Sequence, residues 1–170
     1  GLKCMLLFQQ MNLNKSFARP SFFKPRVENM RVYFNPAMIV TALAREIGRT
    51  PQVFGCVAWC THPKVLDAME EVDTALIMTK HKANKWKRKI RVKFIGKGRG
   101  FRASLMHHKF IVGVRDREPE WVACGSFNVT KSAMNNLENM MIVKDSALAK
   151  CYLDEYKRLA TGTLKRKRKH

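Results

Sequence analysis

Residues 52–59, QVFGCVAW, run apolar without a break after Gln52. A strand exposed on one face would alternate polar and apolar positions, so this run fits a strand buried on both faces, as in a parallel sheet. The neighbouring segments agree. MRVYFN at 30–35 reads as a short strand. Pro36 opens an apolar pattern at Ile39, Leu43 and Ile47, which is helical spacing, with Asn35 as N-cap, Pro36 as the first helical residue and Gly48 at the end. Past the run, Thr61 is expected to cap a second helix, with Pro63 just inside it and Val65, Leu66 and Met69 on its buried side. VDTALIMT at 72–79 is a third strand. Strand, helix, strand, helix, strand is the order of an α/β fold.

Residues 80–102 break this pattern, with eleven Lys or Arg and no acidic residue. Within them, Ile90, Val92 and Phe94 alternate with Arg91 and Lys93, as in a half-exposed strand. GKGRG at 96–100 is a glycine-rich loop. Two apolar strands follow, HHKFIVGV at 107–114 and EWVACGS at 120–126, joined by a turn over 115–119. That connection is too short for a crossover helix, so the pair is expected to be antiparallel. A short helix is expected near Thr130, a strand over 137–143, and an amphipathic helix over 146–160. A length of 170 residues suits one core. The reading is an N-terminal extension over 1–29, one domain over 30–160, and a basic tail over 161–170 that ends KRKRKH and is expected to be disordered.

Charge narrows the function. The chain has 33 Lys and Arg against 13 Asp and Glu, a formal net charge of +20. Such an excess opposes compaction by self-repulsion, and a polyanionic partner relieves it. Nucleic acid is the first candidate and an anionic membrane surface the second. No apolar stretch is long enough for a membrane-spanning helix. GLKCMLLFQQM at the start lacks the h-region and cleavage site of a leader, although Leu2, Met5, Leu6, Leu7 and Phe8 are able to touch a membrane. Cys4, Cys56, Cys60, Cys124 and Cys151 are odd in number, which points to free thiols in a reducing intracellular compartment, cytoplasmic or nuclear. Cys56, Cys60 and His62 would lack a fourth zinc ligand, so no metal and no cofactor is expected.

Polar groups at the ends of the two apolar strands carry the chemistry. If 107–112 is extended, His107 and Lys109 share a face and His108 takes the other. Histidine titrates near neutrality and serves as nucleophile or base, and lysine brings fixed charge, a combination suited to phosphate. Ser126 and Asn128 share a face at the end of the next strand and are able to donate to phosphoryl oxygens. Glu138 heads the strand after that and is able to orient a histidine by accepting its second ring proton. The simpler readings are a surface pair for His107 and Lys109, an Asx turn for Asn128, a cap for Ser126 and a strand-start charge for Glu138. Trp59 and Trp121 read as core.

His107-x-Lys109, then Gly125-Ser126-x-Asn128 followed by Thr130-Lys131-x-Ala133, then Glu138-Asn139, resembles the signature of the phospholipase D superfamily, most of all its small nuclease branch. The resemblance covers roughly 32–160 and is tightest over 107–143. It implies a mixed β-sheet flanked by helices with one motif copy per chain. The family builds one site from two H-x-K motifs. This chain has one, because HPK at 62–64 reads as a helix start and lacks a GSxN partner. The resemblance therefore implies a homodimer with the site at the two-fold interface. His107 of one subunit would form a phosphohistidine, and His107 of the other would protonate the leaving oxygen. Lys109, Asn128 and Ser126 would hold phosphate oxygens, Glu138 would orient the histidine, and no metal is required. One position departs: Val114 stands where the family pattern has Asp.

The charge favours nucleic acid, DNA or RNA, as substrate. The candidate binding residues are Lys85, Trp86, Lys87, Arg88, Lys89, Arg91, Lys93, Lys97, Arg99 and Arg102, with Trp86 as a base platform or an anchor to the core. Three function classes stay open at this point: a metal-independent endonuclease, a nucleic-acid-binding protein of the same fold without turnover, and a phospholipid phosphodiesterase.

Overall fold

The computed structural model describes residues 29–96 and 105–162. The apolar run at 52–59 becomes strand β2 (Gln52–Val57), flanked by strands on both sides. The other strands are β1 (Met30–Tyr33), β3 (Asp73–Thr79), β4 (Arg91–Ile95), β5 (Lys109–Arg115), β6 (Glu118–Gly125) and β7 (Met140–Val143). They form one seven-stranded sheet in the order β1-β7-β6-β5-β2-β3-β4. β2, β3 and β4 are parallel, while the pairings β2 to β5, β5 to β6, β6 to β7 and β7 to β1 are antiparallel. The chain is thus the expected mixed sheet flanked by helices, with a single motif copy.

Helices α1 (Pro36–Gly48) and α2 (Pro63–Glu70) pack on one face and α3 (Ser146–Thr161) on the other. Ile39, Leu43 and Ile47 of α1 and Val65, Leu66 and Met69 of α2 meet Val53, Val57, Leu76 and Ile111. Ala149, Leu153 and Leu159 of α3 meet Phe110, Val112, Val114 and Val122. Each fully buried large aliphatic side chain contributes roughly 1.5–3 kcal/mol. Asn35 caps α1 as expected, its side chain accepting from the amides of Ala37 and Met38. The N-cap of α2 is His62 and not Thr61, and its side chain makes no cap bond.

Gly113 answers to a close approach. A Cβ there would lie 2.1 Å from Nε1 of Trp121, whose indole is fixed by a 2.8 Å bond to Thr50 Oγ1. Trp121 is core, as its sequence context suggests.

Several boundaries shift. The turn after β5 is only Asp116 and Arg117, both at positive φ (52° and 69°), a primed turn that matches the twist of the hairpin. His107 and His108 precede β5 rather than opening it. β7 begins at Met140, so Glu138 lies in the connection before it. The short helix after Thr130 is a 3-10 turn, Ser132–Asn135. The N-terminal extension, the loop containing Lys97, Arg99 and Arg102, and most of the basic tail lie outside the described residues, as do Cys4 and the apolar group at Leu2 to Phe8. Among the described residues no helix is long and apolar enough to cross a membrane.

Candidate active site

Register alone gathers the motifs. Val57 pairs with Lys109, Phe110 with Cys124, and Gly125 with Met140. The segments after β2 and β6 and before β5 and β7 therefore emerge at one edge of the sheet. Backbone bonds fasten them: Ala58 N to His108 O at 2.9 Å, Val129 N to Trp59 O at 3.1 Å, and Thr61 N to Val129 O at 2.7 Å. Phe127 and Val129 are buried in the core, which fixes the backbone that carries Ser126 and Asn128.

His107 and Lys109 meet although the strand begins between them. Lys109 Nζ lies 3.2 Å from His107 Nδ1 and donates to the His107 carbonyl at 3.1 Å. The imidazole meets the indole of Trp59 edge-on, with centroids 5.8 Å apart. Partial burial pushes the His107 pKa below its usual value, and the charges of Lys109 and His108 push the same way. Near neutral pH the ring is then held as the free base, the form with a nucleophilic lone pair. Burial also lowers the Lys109 pKa, with Glu138 opposing it from nearby. His108 turns to the other face, where Nε2 lies 3.3 Å from Glu155 of α3.

Ser126 and Glu138 form a second unit. Ser126 Oγ donates to Glu138 Oε2 at 2.5 Å and accepts from Asn139 N at 3.0 Å. Asn136 Nδ2 also reaches Glu138, at 3.4 Å. Glu138 is expected to orient a histidine; within the single chain its hydrogen-bond partners are Ser126 and Asn136. The cause is the late start of β7, which leaves Glu138 in a loop alongside Ser126. Gly125 makes this junction possible, because a Cβ there would sit 2.3 Å from the Asn139 carbonyl oxygen. Ser126 N and Phe127 N both donate to that oxygen, at 3.1 and 3.3 Å.

Asn128 faces a pocket of about 320 Å³ that it shares with Trp59, Thr61, Thr130, Lys131 and Ser132. Its Oδ1 is buried and has no hydrogen-bond partner among the described residues. A wider cleft of about 590 Å³ opens on the α3 side of His107 and Lys109, bounded by Val32, Phe34, Phe110 and Tyr152.

Two residues escaped the sequence reading. Trp59 is not core: it is half-buried at the site, between His107 and His81. Asn84 is fully buried and ties the strand ends together, donating to Ala58 O and Thr79 O at 2.8 and 2.9 Å and accepting from Cys60 N at 3.3 Å. An asparagine within a cationic run carries no local sign of such a role. The end of the apolar run at Trp59, beside the helix-start signals at Thr61 and Pro63, was the available clue for Trp59.

The basic segment divides. Trp86 is an anchor, half-buried against the core with its indole N–H donating to Cys60 O at 2.8 Å. Arg88 pairs with Asp67 and Glu70, and Arg91 with Asp73. Lys93 donates to the carbonyls of Leu159 and Ala160 at the end of α3. Lys85, Lys87 and Lys89 are exposed. Cys56 and Cys60 are buried thiols whose pKa burial raises to about 12. Among the described residues no three His, Cys, Asp or Glu side chains are arranged to hold a metal ion. Val114 is buried near the far end of β5, five strand residues or roughly 16 Å from Lys109.

The chain matches the family model described as "Cardiolipin synthase, PLD-like domain" over residues 55–160. No protein of curated function matches its sequence. Its fold is similar to NucT from Helicobacter pylori, at 15% identity over 78% of this chain and 95% of that one, with a TM-score of 0.66. It is similar also to Nuc, a phospholipase D family member from Salmonella typhimurium, at 19% identity over 78% of this chain and 93% of that one, TM-score 0.59. Polyphosphate kinase from Porphyromonas gingivalis shares the fold over 78% of this chain but only 24% of its own length, at 10% identity and TM-score 0.54. With the family match spanning more than half of the sequence and the site motifs gathered at one sheet edge, the chain belongs to the phospholipase D family of PLD-like domains.

Proposed function

We propose that the protein is a phosphodiesterase that hydrolyses nucleic acid without a metal ion, at a site completed by a second copy of the chain. The observation that carries this reading is the convergence of His107, Lys109, Ser126, Asn128 and Glu138 at one sheet edge of a chain with a net charge of +20. His107 attacks phosphorus, a P–N bond forms, and the P–O bond to the leaving group breaks. The leaving oxygen takes a proton from the second subunit's imidazole. Water then attacks the phosphohistidine, gives its proton to that same imidazole, and the P–N bond breaks. Lys109 and the amide of Asn128 hold the phosphoryl oxygens as charge develops on them. Glu138 keeps Ser126 oriented toward the same edge.

A second copy is favoured by the apolar rim of the site. Phe34 is 72% exposed and Val32 44%, both on the cleft beside His107, and Leu137 next to Glu138 is fully exposed. A two-fold contact that brings this edge against itself would bury all three and juxtapose two imidazoles. Exposed Lys85, Lys87 and Lys89 supply a flank for a polyanionic backbone. The buried thiols Cys56 and Cys60 suit a reducing compartment.

The binding-protein reading draws on Val114. Its position argues against lost chemistry, since that residue is remote from the site and packed in the core. The test is cleavage of labelled single- and double-stranded DNA and RNA in EDTA by the wild type and His107→Ala, with the oligomeric state measured in parallel. Cleavage by the wild-type dimer alone supports the proposal. Binding with no product from any of the four substrates overturns it.

A further inference from the structure

We infer that the pocket lined by Thr61, Thr130, Lys131 and Ser132 is a second anion subsite, which holds the phosphate next to the one that His107 attacks. This rests on the nucleic-acid reading of the neighbouring site and deepens it: the substrate is gripped by two consecutive phosphates of one strand.

Charge is sorted between the two ends of the sheet. Asp73 opens β3, Asp116 and Glu118 lie at the turn from β5 to β6, and Asp145 follows β7, all at the edge opposite the site. Glu46 reaches that same end, where it pairs with Lys144 at 3.1 Å. Lys64 at the start of α2, Lys80 after β3 and Lys131 after Asn128 stand at the site edge, and each is exposed. None of these three lysines has a carboxylate partner among the described residues. A concave surface lined by one sign of charge focuses its field on a counter-ion.

The pocket, of about 320 Å³, supplies both a cation and hydrogen-bond donors, and no carboxylate lines it. The Lys131 ammonium is a compact charge suited to phosphate. His62 lies close enough to Lys131 and Lys64 that their charges add to burial in pushing its pKa below the usual value, so positive potential converges at this rim. Thr130 Oγ1 and Ser132 Oγ lie 3.0 Å apart, and Thr130 Oγ1 also accepts from Ala133 N at 3.1 Å. Whichever of the two hydroxyls donates to the other, one hydroxyl proton of the pair stays free for an anionic oxygen. The Thr61 hydroxyl is a further donor, on a backbone fixed by the 2.7 Å bond from Thr61 N to Val129 O.

Location sets the consequence. Trp59 lines this pocket and meets His107 edge-on, with centroids 5.8 Å apart, so the subsite and the attacking ring share the indole as a wall. An anion seated there is therefore the immediate neighbour of the phosphate under attack. A polynucleotide carries such a neighbour at every linkage and fills both sites. A phospholipid with a single phosphodiester fills only the first.

The test is the salt dependence of binding, measured by fluorescence anisotropy in EDTA on protein carrying His107→Ala so that no turnover intervenes. The probe is a labelled single-stranded oligonucleotide of about 12 residues, titrated from about 50 to 200 mM KCl. Adding Lys131→Ala is expected to flatten the slope of log K against log[KCl] by about 0.7, the value for one single-strand phosphate contact, while Lys131→Arg keeps the slope. Lys157→Ala, which removes an exposed charge from α3 instead, is expected to leave the slope unchanged. An unchanged slope for Lys131→Ala, or an equal drop for Lys157→Ala, overturns the inference. Lys131-dependent binding to phosphatidylglycerol vesicles, with the oligonucleotide slope unchanged, overturns it too and assigns the pocket to a lipid headgroup. Wild-type cleavage without a Lys131-dependent slope would remove the subsite and leave the nuclease. A Lys131-dependent slope without wild-type cleavage would do the reverse.

Discussion

Gly125→Ala is expected to damage both stability and turnover, by amounts that follow from one contact. The added Cβ would stand 2.3 Å from the backbone oxygen of Asn139 and 2.9 Å from its carbonyl carbon, where ordinary contact begins at 3.4 Å. Both are backbone atoms, so the ends of β6 and β7 must part by about 1 Å. The bonds across this junction are already 3.0 to 3.3 Å long: Ser126 N and Phe127 N to Asn139 O, Ser126 N to Asn139 Oδ1, and Asn139 N to Ser126 Oγ. Such a movement breaks most of them. At a net 0.5–1.5 kcal/mol each, the loss is roughly 2–4 kcal/mol, less than the ~5–15 kcal/mol that holds a domain folded. The variant should therefore fold, with its urea midpoint lowered accordingly. Its Ser126 and Glu138 would be displaced from the proposed phosphate site, and a misplacement of about 1 Å lowers turnover roughly 100-fold. Ser126→Ala is the control, since it removes the hydroxyl and its one bond from Asn139 N but keeps the bonds to the Asn139 oxygens and adds no Cβ between the strand ends. A Gly125→Ala protein within about 0.5 kcal/mol of wild type in urea, cleaving oligonucleotide at near wild-type rate, would refute the close-approach argument.

Three further outcomes follow from the packing. Asn84→Ala removes three buried bonds that join the ends of β2 and β3, and should cost roughly 2–4 kcal/mol in chemical denaturation; a loss under about 1 kcal/mol would show that those strand ends hold without it. Arg117→Gly relieves a non-glycine residue at φ 69° in a primed hairpin turn and should stabilise by about 0.5–1 kcal/mol, read as a raised Tm. Glu46 is buried, which by itself would raise its pKa, yet bonds from Lys144 and Arg45 bring it below the usual carboxylate value. A depressed pKa stabilises the fold above the unfolded-state value of 4.5, and the effect is lost as pH falls through the folded-state value. Because Lys144 and Arg45 are largely solvated, Glu46→Gln should cost only about 1 kcal/mol at pH 7, and the gap to wild type should close below pH 4.5. A gap that persists unchanged to pH 3 would contradict this.

The element order was legible because each element buries its own apolar pattern. The run at 52–59, the spacing of Ile39, Leu43 and Ile47, and the two strands of the hairpin each carry a local period that burial explains. The site motifs were legible for a similar reason, since His107, Lys109, Gly125, Ser126 and Asn128 stand next to strand ends within short stretches of chain. Sheet order was not local. Nothing in residues 30–35 states that β1 pairs with β7, and nothing in 91–95 states that β4 closes the opposite edge. The partner of Glu138, the anchoring of Trp86 and the ion pairs of Arg88 and Arg91 depend on residues 12 to 26 positions away in sequence. Trp59 shows the division most clearly. As the last member of an apolar run it reads as core, because sequence records hydrophobicity and not where a strand ends relative to its neighbours. Only the packing of β2 beside β5, with Asn84 bonded to the residues on either side of Trp59, turns that indole toward His107 and makes it part of a site.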